Sequence, residues 1–126
     1  MNVQEKYQRL EDPVRQYNPG ANFDLIHAAF VYAEAHHRGQ NRKDGSPFIT
    51  HPLAVAEIVA DLGLDADSVI AALLHDTIED TNATHEEVAK QFGETVAALV
   101  EGVTKLSRVQ YTSKEEEQME NLRKML

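Results

Sequence analysis

The sequence predicts an all-α helical bundle that forms one small domain. Apolar residues recur at three- and four-residue steps along most of the 126 residues, and the alternation of apolar and polar residues that is typical of strands is absent. About 42% of the residues are apolar, which is enough for one core, and no repeat or flexible linker divides the chain. Residues 1–126 are therefore expected to form a single unit.

The first strongly periodic segment predicts a helix over residues 23–38, just before Gly39, where a helix C-terminus is expected. Its apolar face is formed by Phe23, Ile26, Phe30 and Ala33. Residues 1–22 are expected to add an N-terminal helical extension.

A second helix is predicted to begin with Thr50 as its cap and to end at Gly63. His51 and Pro52 then fall in its first turn, where the missing N–H of proline costs nothing. The predicted buried stripe consists of Leu53, Val55, Ile58, Val59 and Leu62.

A third helix is predicted from a cap at Asp65 or Asp67 to about Glu79. Two capping boxes, Thr84 with Glu87 and Ser113 with Glu116, predict two later helix starts. Between them, residues 94–106 form another apolar periodic stretch. The pattern over residues 113–126 is still running where the sequence stops, so we expect an interrupted helix in a truncated bundle.

Composition excludes several classes of protein. With 21 acidic and 12 basic side chains the formal charge is −9, which argues against binding DNA or RNA. The absence of Cys excludes disulfides, thiolate zinc sites and a cysteine nucleophile. No apolar run approaches the roughly 20 residues of a membrane span, and no signal peptide is evident, so we expect a cytoplasmic protein with no membrane partner.

The densest cluster of ionisable residues directly follows an apolar helical turn, in the run from His75 to Asp80. On a continuous helix, His75 lies four residues before Glu79, and Asp76 lies four before Asp80, so both pairs face one edge. Closely spaced carboxylates repel one another least when a cation lies between them or when one of them stays protonated. The alternative interpretation is a solvated helix end with an ordinary half-buried histidine.

A second histidine, His51, begins a different helix and can meet His75 and Asp76. Two imidazoles and one carboxylate are a plausible partial shell for Mn, Fe, Zn or Mg, and imidazole favours the transition metals. Arg42 and Lys43, just upstream, supply the local cations that the acidic chain otherwise lacks, although a solvated pair is the alternative. His36 and His37, at a helix end, are given a structural role.

These residues lie among four sequence blocks, which identify a protein family more specifically than a lone His-Asp pair does. In order, they are HxGQxRK, GxPFITHP, AALLHDTIEDT and FGxxVAxLVEGVTKL. They resemble the HD-type hydrolase domain of the RelA/SpoT homologues, which make and destroy the alarmone (p)ppGpp, and the resemblance covers about two thirds of the chain, residues 23–106. The resemblance implies an HD-domain bundle from the N-terminus of a longer bifunctional protein.

By resemblance, His51, His75 and Asp76 are ligands of one Mn²⁺ ion. Glu79 and Asp80 are the carboxylates that handle the attacking water and proton transfer. Arg42 and Lys43 contact the guanine base and phosphates. The implied reaction hydrolyses the 3′-pyrophosphate of ppGpp or pppGpp to GDP or GTP, and ribosome association would rest with domains of the longer protein outside this chain.

One departure from the family pattern limits this expectation. The fourth protein ligand of the family, an Asp in a downstream helix, has no counterpart before Leu126. The chain by itself is therefore expected to be a poor hydrolase or an inactive one. Two other functions stay open: a phosphohydrolase that shares the metal centre but acts on another nucleotide, and a regulatory helical module without catalysis.

Overall fold

Helices make up the regular structure of residues 1–105, the part of the chain that the computed structural model describes. In order they are α1 (Val3–Tyr17), α2 (Phe23–His36), α3 (Thr50–Asp61), α4 (Ala66–Leu74), α5 (Thr77–Asp80), α6 (His85–Phe92) and α7, which covers 94–105. Within this part there is no β-strand, only an isolated bridge between Asn41 and Pro47. The all-α prediction is confirmed, and the capping box predicted at Ser113 and Glu116 lies outside the described residues.

Side-chain caps begin four of the helices. The caps of α1, α2, α4 and α6 are Asn2, Asn22, Asp65 and Thr84. Of the two caps predicted for α4, Asp65 is the one used, and its carboxylate accepts from the Ser68 amide at 2.8 Å. Thr84 caps α6 as predicted, by accepting from the Glu87 amide at 3.2 Å. The Glu87 carboxylate instead accepts from the hydroxyl of Tyr32 at 3.0 Å.

The start of α3 corrects the predicted cap. Thr50 is already the first helical residue, and the cap position is held by Ile49, which makes no side-chain cap bond. The Thr50 hydroxyl donates to the Pro47 carbonyl at 2.7 Å, because a backbone acceptor three residues back lies within its reach. Pro52 is buried in the first turn, as predicted.

The buried face of α3 also differs from the prediction. Val55 and Val59 are half-buried, while Ile58 and Leu62 are 60% and 70% exposed. The fully buried positions are Leu53, Ala56 and Ala60, which follow one another at three- and four-residue steps. Helix α3 packs against both α1 and α4, and two alanines on its inner face let these neighbours approach closely.

The third predicted helix is broken at His75 and Asp76, so α4 and α5 are separate. Nδ1 of His75 bonds to the Ala72 carbonyl at 2.6 Å, and the Thr77 hydroxyl donates to the Leu74 carbonyl at 2.7 Å. These side chains occupy carbonyls to which the backbone amides of a continuing helix would donate. Because of this break, the His75 and Asp76 side chains do not take the directions that a continuous helix would give them.

Helix α4 lies at the centre of the core, because six of its nine residues are buried. It packs against α2 and α3, and α1 packs against α3. From α1, the core receives Tyr7, Leu10 and Val14. His75 and Asp76 directly follow α4, so they lie at the edge of the core, where this densely packed helix ends.

Among residues 1–105, no helix is both long enough and apolar enough to cross a bilayer.

Candidate metal centre

Three predicted ligand side chains meet at one point of the structure. His51, His75 and Asp76 each offer one donor atom, and these three atoms lie within 4.8 Å of one another. Oδ2 of Asp76 is 3.1 Å from Nε2 of His75 and 3.4 Å from Nε2 of His51. We call these three residues the donor cluster.

Local bonds decide which nitrogen of His75 faces the donor cluster. A carbonyl can only accept, so Nδ1 of His75 carries the proton that it gives to the Ala72 carbonyl. Nε2 of the neutral ring is then a lone-pair donor, which faces the Asp76 carboxylate. Two acceptors 3.1 Å apart repel each other unless a proton or a cation lies between them.

His51 reaches the donor cluster from the first turn of α3. Its ring centroid lies 5.5 Å from that of His75 and 5.9 Å from that of Phe48, in edge-to-face arrangements. The His51 side chain keeps 35% of its surface exposed, against 14% for His75. The donor cluster therefore has one open side, which lies toward His51.

Burial and charge act in opposite directions on the two imidazoles. Burial is the largest influence on His51, and with the charges of His75, Arg42 and His37 it outweighs Asp76 and lowers the pKa of His51. Burial also disfavours the charged form of His75. For that ring, the hydrogen bond and charge of Asp76, the Ala72 carbonyl and the charge of Asp80 prevail, and the pKa of His75 is raised.

The pKa of Asp76 is shifted in the direction that favours its charged form. Burial would raise its pKa, but the hydrogen bond from His75 and the charges of His75, His51 and His37 together lower the pKa of the carboxyl below its ordinary value. The carboxylate is therefore ionised near neutral pH. It supplies the negative charge that a divalent cation needs in this position.

The donor set fits a transition-metal ion. Two donors held about 2.1 Å from one ion in tetrahedral directions lie roughly 3.4 Å apart. The Asp76 oxygen lies at 3.1 and 3.4 Å from the two imidazole nitrogens, close to that value. Two nitrogens and one oxygen suit Mn, Fe or Zn better than Mg or Ca, which prefer oxygen alone.

Glu79 and Asp80, which we call the carboxylate pair, lie at the end of α5, and both are exposed. Asp80 lies close enough to His75 for its charge to favour the protonated ring. The amide of Asp80 donates to the Asp76 carbonyl at 2.9 Å, which joins α5 to the donor cluster through the backbone. The carboxylate pair is not part of the donor cluster itself.

The connection between α2 and α3 carries the predicted cations. Its residues 41–47, which we call the cation loop, are closed by the antiparallel bridge between Asn41 and Pro47. Inside the cation loop, the Arg42 amide donates to the Ser46 carbonyl at 2.8 Å. These bonds give the loop a defined shape although its side chains are exposed.

Arg42 and Lys43 project from the cation loop beside the donor cluster. Both side chains are exposed, and neither takes part in an ion pair within residues 1–105. They line a cleft of about 650 Å³ together with Asn41, Asp44, Phe48, His51 and Asp76. The structure thus brings the two cations and two members of the donor cluster to the same cleft.

Phe48 is a lining residue of this cleft that the sequence analysis missed. It is half-buried in the connection before α3, where its ring packs edge-on against His51. An aromatic residue in a polar segment between helices is the signal that could have found it, because such a ring needs another apolar or ligand surface to contact. The Phe48 ring forms a flat apolar wall of the cleft.

The pKa shifts of His75 and Asp76 predict two pH-dependent contributions to the stability of the chain in EDTA. The raised pKa of His75 gives stability that is complete below about pH 6.5 and is lost as the pH rises through the folded value. The lowered pKa of Asp76 gives stability that is complete above about pH 3.9 and is lost as the pH falls through its folded value. Both contributions are complete between these limits, while the lowered pKa of His51 acts against that of His75 and removes stability as the pH falls below about 6.5.

Histidine NMR titration and thermal melts test this prediction. Asp76→Asn is expected to lower the pKa of His75 and to remove the stability that its raised pKa contributes below about pH 6.5. The matched control is Asp61→Asn, at an exposed position of α3. An unchanged His75 titration in Asp76→Asn would contradict the assigned cause.

Comparison with protein-family models identifies one match, which is described as an HD domain and covers residues 29–126. Among curated proteins, a GTP pyrophosphokinase of Myxococcus xanthus is 50% identical over 122 residues, which are 94% of this chain and 16% of that protein. The bifunctional (p)ppGpp synthase/hydrolase SpoT of Escherichia coli K12 is 44% identical over 120 residues, which are 95% of this chain and 17% of that protein. The chain thus spans about a sixth of these relatives.

A solved structure gives a similar result. A metazoan ortholog of SpoT that hydrolyzes ppGpp superimposes with a TM-score of 0.58 at 36% sequence identity. The superposition covers 61% of this chain and 46% of that protein. The likeness therefore extends to three dimensions as well as to sequence.

Proposed function

Because the chain belongs to the HD-domain family, and within it to the RelA/SpoT type, we propose that it supplies the hydrolase centre of a (p)ppGpp 3′-pyrophosphohydrolase. Water cleaves the 3′-pyrophosphate ester, which releases pyrophosphate and GDP or GTP. One observation carries the proposal: the donor atoms of His51, His75 and Asp76 lie within 4.8 Å of one another, beside two exposed cations.

The donor cluster would hold one Mn²⁺ ion. His51 and His75 would each bind it through Nε2, and Asp76 through Oδ2, the atoms that already face one another. A bound divalent ion lowers the pKa of water toward neutrality and offsets negative charge on a phosphate. The lowered pKa of His51 keeps its ring neutral, and so able to bind, near neutral pH.

The carboxylate pair would manage the protons of the reaction. Glu79 accepts a proton from the attacking water, and Asp80 assists its transfer to the leaving group. Exposure of both side chains supports this role, because they can exchange protons with water and substrate. Asp80 also favours the protonated form of His75, so the two sites are electrostatically connected.

Arg42 and Lys43 would bind the substrate. The chain carries a formal charge of −9, so a nucleotide with several phosphates needs cations concentrated at the site. The cation loop provides two, on the cleft that it shares with His51 and Asp76. The planar guanidinium of Arg42 can stack on guanine or bind phosphate with two hydrogen bonds, while Lys43 supplies a compact charge.

The test is a chimera in which this chain replaces the matching segment of the Escherichia coli SpoT protein. With Mn²⁺ and ppGpp, we expect the chimera to release pyrophosphate at a rate close to that of the parent. The 126-residue chain alone is expected to be much slower, because the donor cluster in its described residues, 1–105, offers three protein donors to the ion. A folded chimera without hydrolysis would reject the proposal.

Substrate specificity separates the proposal from its nearest alternative. The chimera is expected to prefer ppGpp and pppGpp over nucleotides that lack a 3′-pyrophosphate. Equal hydrolysis of such nucleotides would instead favour a phosphohydrolase of broader range. Metal binding without turnover of any of them would favour a regulatory module.

Lys43→Ala in the chimera is expected to raise KM for ppGpp about tenfold while Mn²⁺ affinity stays within twofold. Lys43 lines the cleft without belonging to the donor cluster, so its loss removes a phosphate contact and leaves the ligands in place. Lys90→Ala, on the exposed side of α6, is the control. An equal loss of metal affinity would show that the role of Lys43 is misassigned.

A further inference from the structure

The side chain of Gln40 joins the ends of two helices that are far apart in sequence. Its Nε2 donates to the backbone carbonyl of Asp80, 40 residues away, at 3.1 Å. Its Oε1 lies 3.1 Å from Nδ1 of His37, the C-cap residue that directly follows α2. One carboxamide therefore contacts both the end of α2 and the end of α5.

The chemistry of the partners fixes the direction of both bonds. The Asp80 carbonyl can only accept, so the amide nitrogen of Gln40 faces it, and the amide oxygen faces His37. Nδ1 of His37 must then carry the proton. Nε2 of His37 has no hydrogen-bond partner within residues 1–105, so no bond there selects the opposite tautomer.

His37 is well placed to hold the carboxamide still. It is only 2% exposed, and its ring packs against Phe48 with a centroid separation of 4.6 Å. A buried ring in contact with an aromatic wall has few accessible rotamers. The hydrogen bond from such a ring fixes the carboxamide more firmly than a bond from an exposed side chain would.

The backbone of Gln40 closes the base of the cation loop at the same time. Its carbonyl accepts from the Phe48 amide at 2.9 Å, and its own amide donates to the His37 carbonyl at 3.0 Å. The residue that fixes where the cation loop begins is therefore the residue whose side chain holds the end of α5. The bonds of Gln40 therefore connect the base of the cation loop to the carbonyl of Asp80, one of the carboxylate pair.

We propose that Gln40 is a positioning residue: its carboxamide, oriented by His37, fixes Arg42 and Lys43 relative to Glu79 and Asp80. The proposal rests on the proposed function, since it assumes that the two charged groups serve one substrate. Displacement of a reacting group by about 1 Å can cost two orders of magnitude in rate, so a fixed separation has a direct chemical value.

Nitrogen-15 NMR of the 126-residue chain tests the bridge without metal or nucleotide. We expect His37 in the tautomer protonated at Nδ1, with slowed exchange of the Gln40 side-chain amide protons. Gln40→Glu keeps an acceptor for His37 and removes the donor to Asp80, and the uncharged Gln40→Met removes both bonds. Both changes are expected to shift amide signals in residues 41–47 and in residues 79–82.

The same two substitutions at Gln91, an exposed residue of α6, are expected to shift neither segment. Circular dichroism and thermal melts establish that each variant is folded. His37 protonated at Nε2, or shifts confined to residues 37–41 in both folded variants, would overturn the bridge.

Binding measurements then test the positioning role. A general loss of structure in the variant would weaken the binding of Mn²⁺ and of ppGpp together, whereas a loss of positioning would weaken the binding of ppGpp. Gln40→Met is expected to leave the Kd for Mn²⁺ within twofold and to weaken ppGpp binding to the Mn²⁺-loaded chain about tenfold. Unchanged ppGpp affinity in the folded variant would overturn the positioning role. Failure of the unsubstituted chain to bind Mn²⁺ or ppGpp would count against the proposed function, while the NMR result still decides the bridge.

Discussion

Asp76→Asn in the 126-residue chain is expected to weaken Mn²⁺ binding by about 100-fold or more, beyond what loss of a residue that only orients a ligand costs. The substitution preserves shape but removes the only negative charge of the donor cluster. It also changes the carboxylate that faces Nε2 of His75 at 3.1 Å into a neutral amide. In the chimera, the same change is expected to abolish pyrophosphate release.

Isothermal titration with Mn²⁺ measures the first effect, and release of pyrophosphate from ppGpp measures the second. Asp61→Asn makes the same chemical change at an exposed position of α3 and is expected to alter neither. If Asp76→Asn bound Mn²⁺ as tightly as the unsubstituted chain, the donor cluster would not be the metal site.

Glu79→Gln has the second largest expected effect, because it removes a proton acceptor without touching the donor cluster. In the chimera, kcat for ppGpp is expected to fall by about 10² to 10⁴, the usual contribution of general acid–base catalysis. Affinity for Mn²⁺ and KM are expected to change little. Rapid-quench measurement of pyrophosphate release separates the chemical step from product release.

The control for this second prediction is Glu86→Gln, in the exposed first turn of α6. A similar fall in kcat for both variants would point to a general effect of charge. An unchanged kcat in Glu79→Gln would assign the proton transfer to another group, with Asp80 the first to examine by Asp80→Asn.

Local signals in the sequence predict much of the helical framework. Thr84 caps α6 and Asp65 caps α4, since both side chains meet a backbone amide three residues on. Gly63 adopts a φ of +72° just after α3, a conformation that glycine enters at low cost, and it marks the predicted end of that helix. Such signals depend only on neighbouring residues, so no knowledge of packing is needed to use them.

Packing between helices decides the features that the sequence did not predict. Ile58 and Leu62 are as apolar as the buried residues of α3, and only its contacts with α1 and α4 turn Ala56 and Ala60 inward instead. The break after Leu74 likewise follows from two side chains bonding to carbonyls of α4. Periodicity cannot report either event, because both depend on side-chain directions in three dimensions.

The candidate site likewise has features that the sequence predicts and features that only the three-dimensional structure reveals. The residue types and the resemblance single out His51, His75 and Asp76, and the structure brings the three together. Gln40 lies in one of the quoted sequence blocks, but its contact could not be predicted, because its partner is the backbone carbonyl of residue 80, which any amino acid there would supply. The catalytic, metal-binding and substrate-binding roles of the site residues, and the positioning role of Gln40, are predictions that the experiments above test.

Helix α4, which six buried side chains fix in the core, has a consequence for how such a protein can change over generations. Under the proposed function, replacement of one of these buried side chains would disturb both the core and the placement of His75 and Asp76, so selection would act against it. The exposed segment between Asn41 and Pro47 carries no such burden. Under the proposed function, preference for one nucleotide over another can therefore change in this segment without disturbing the core.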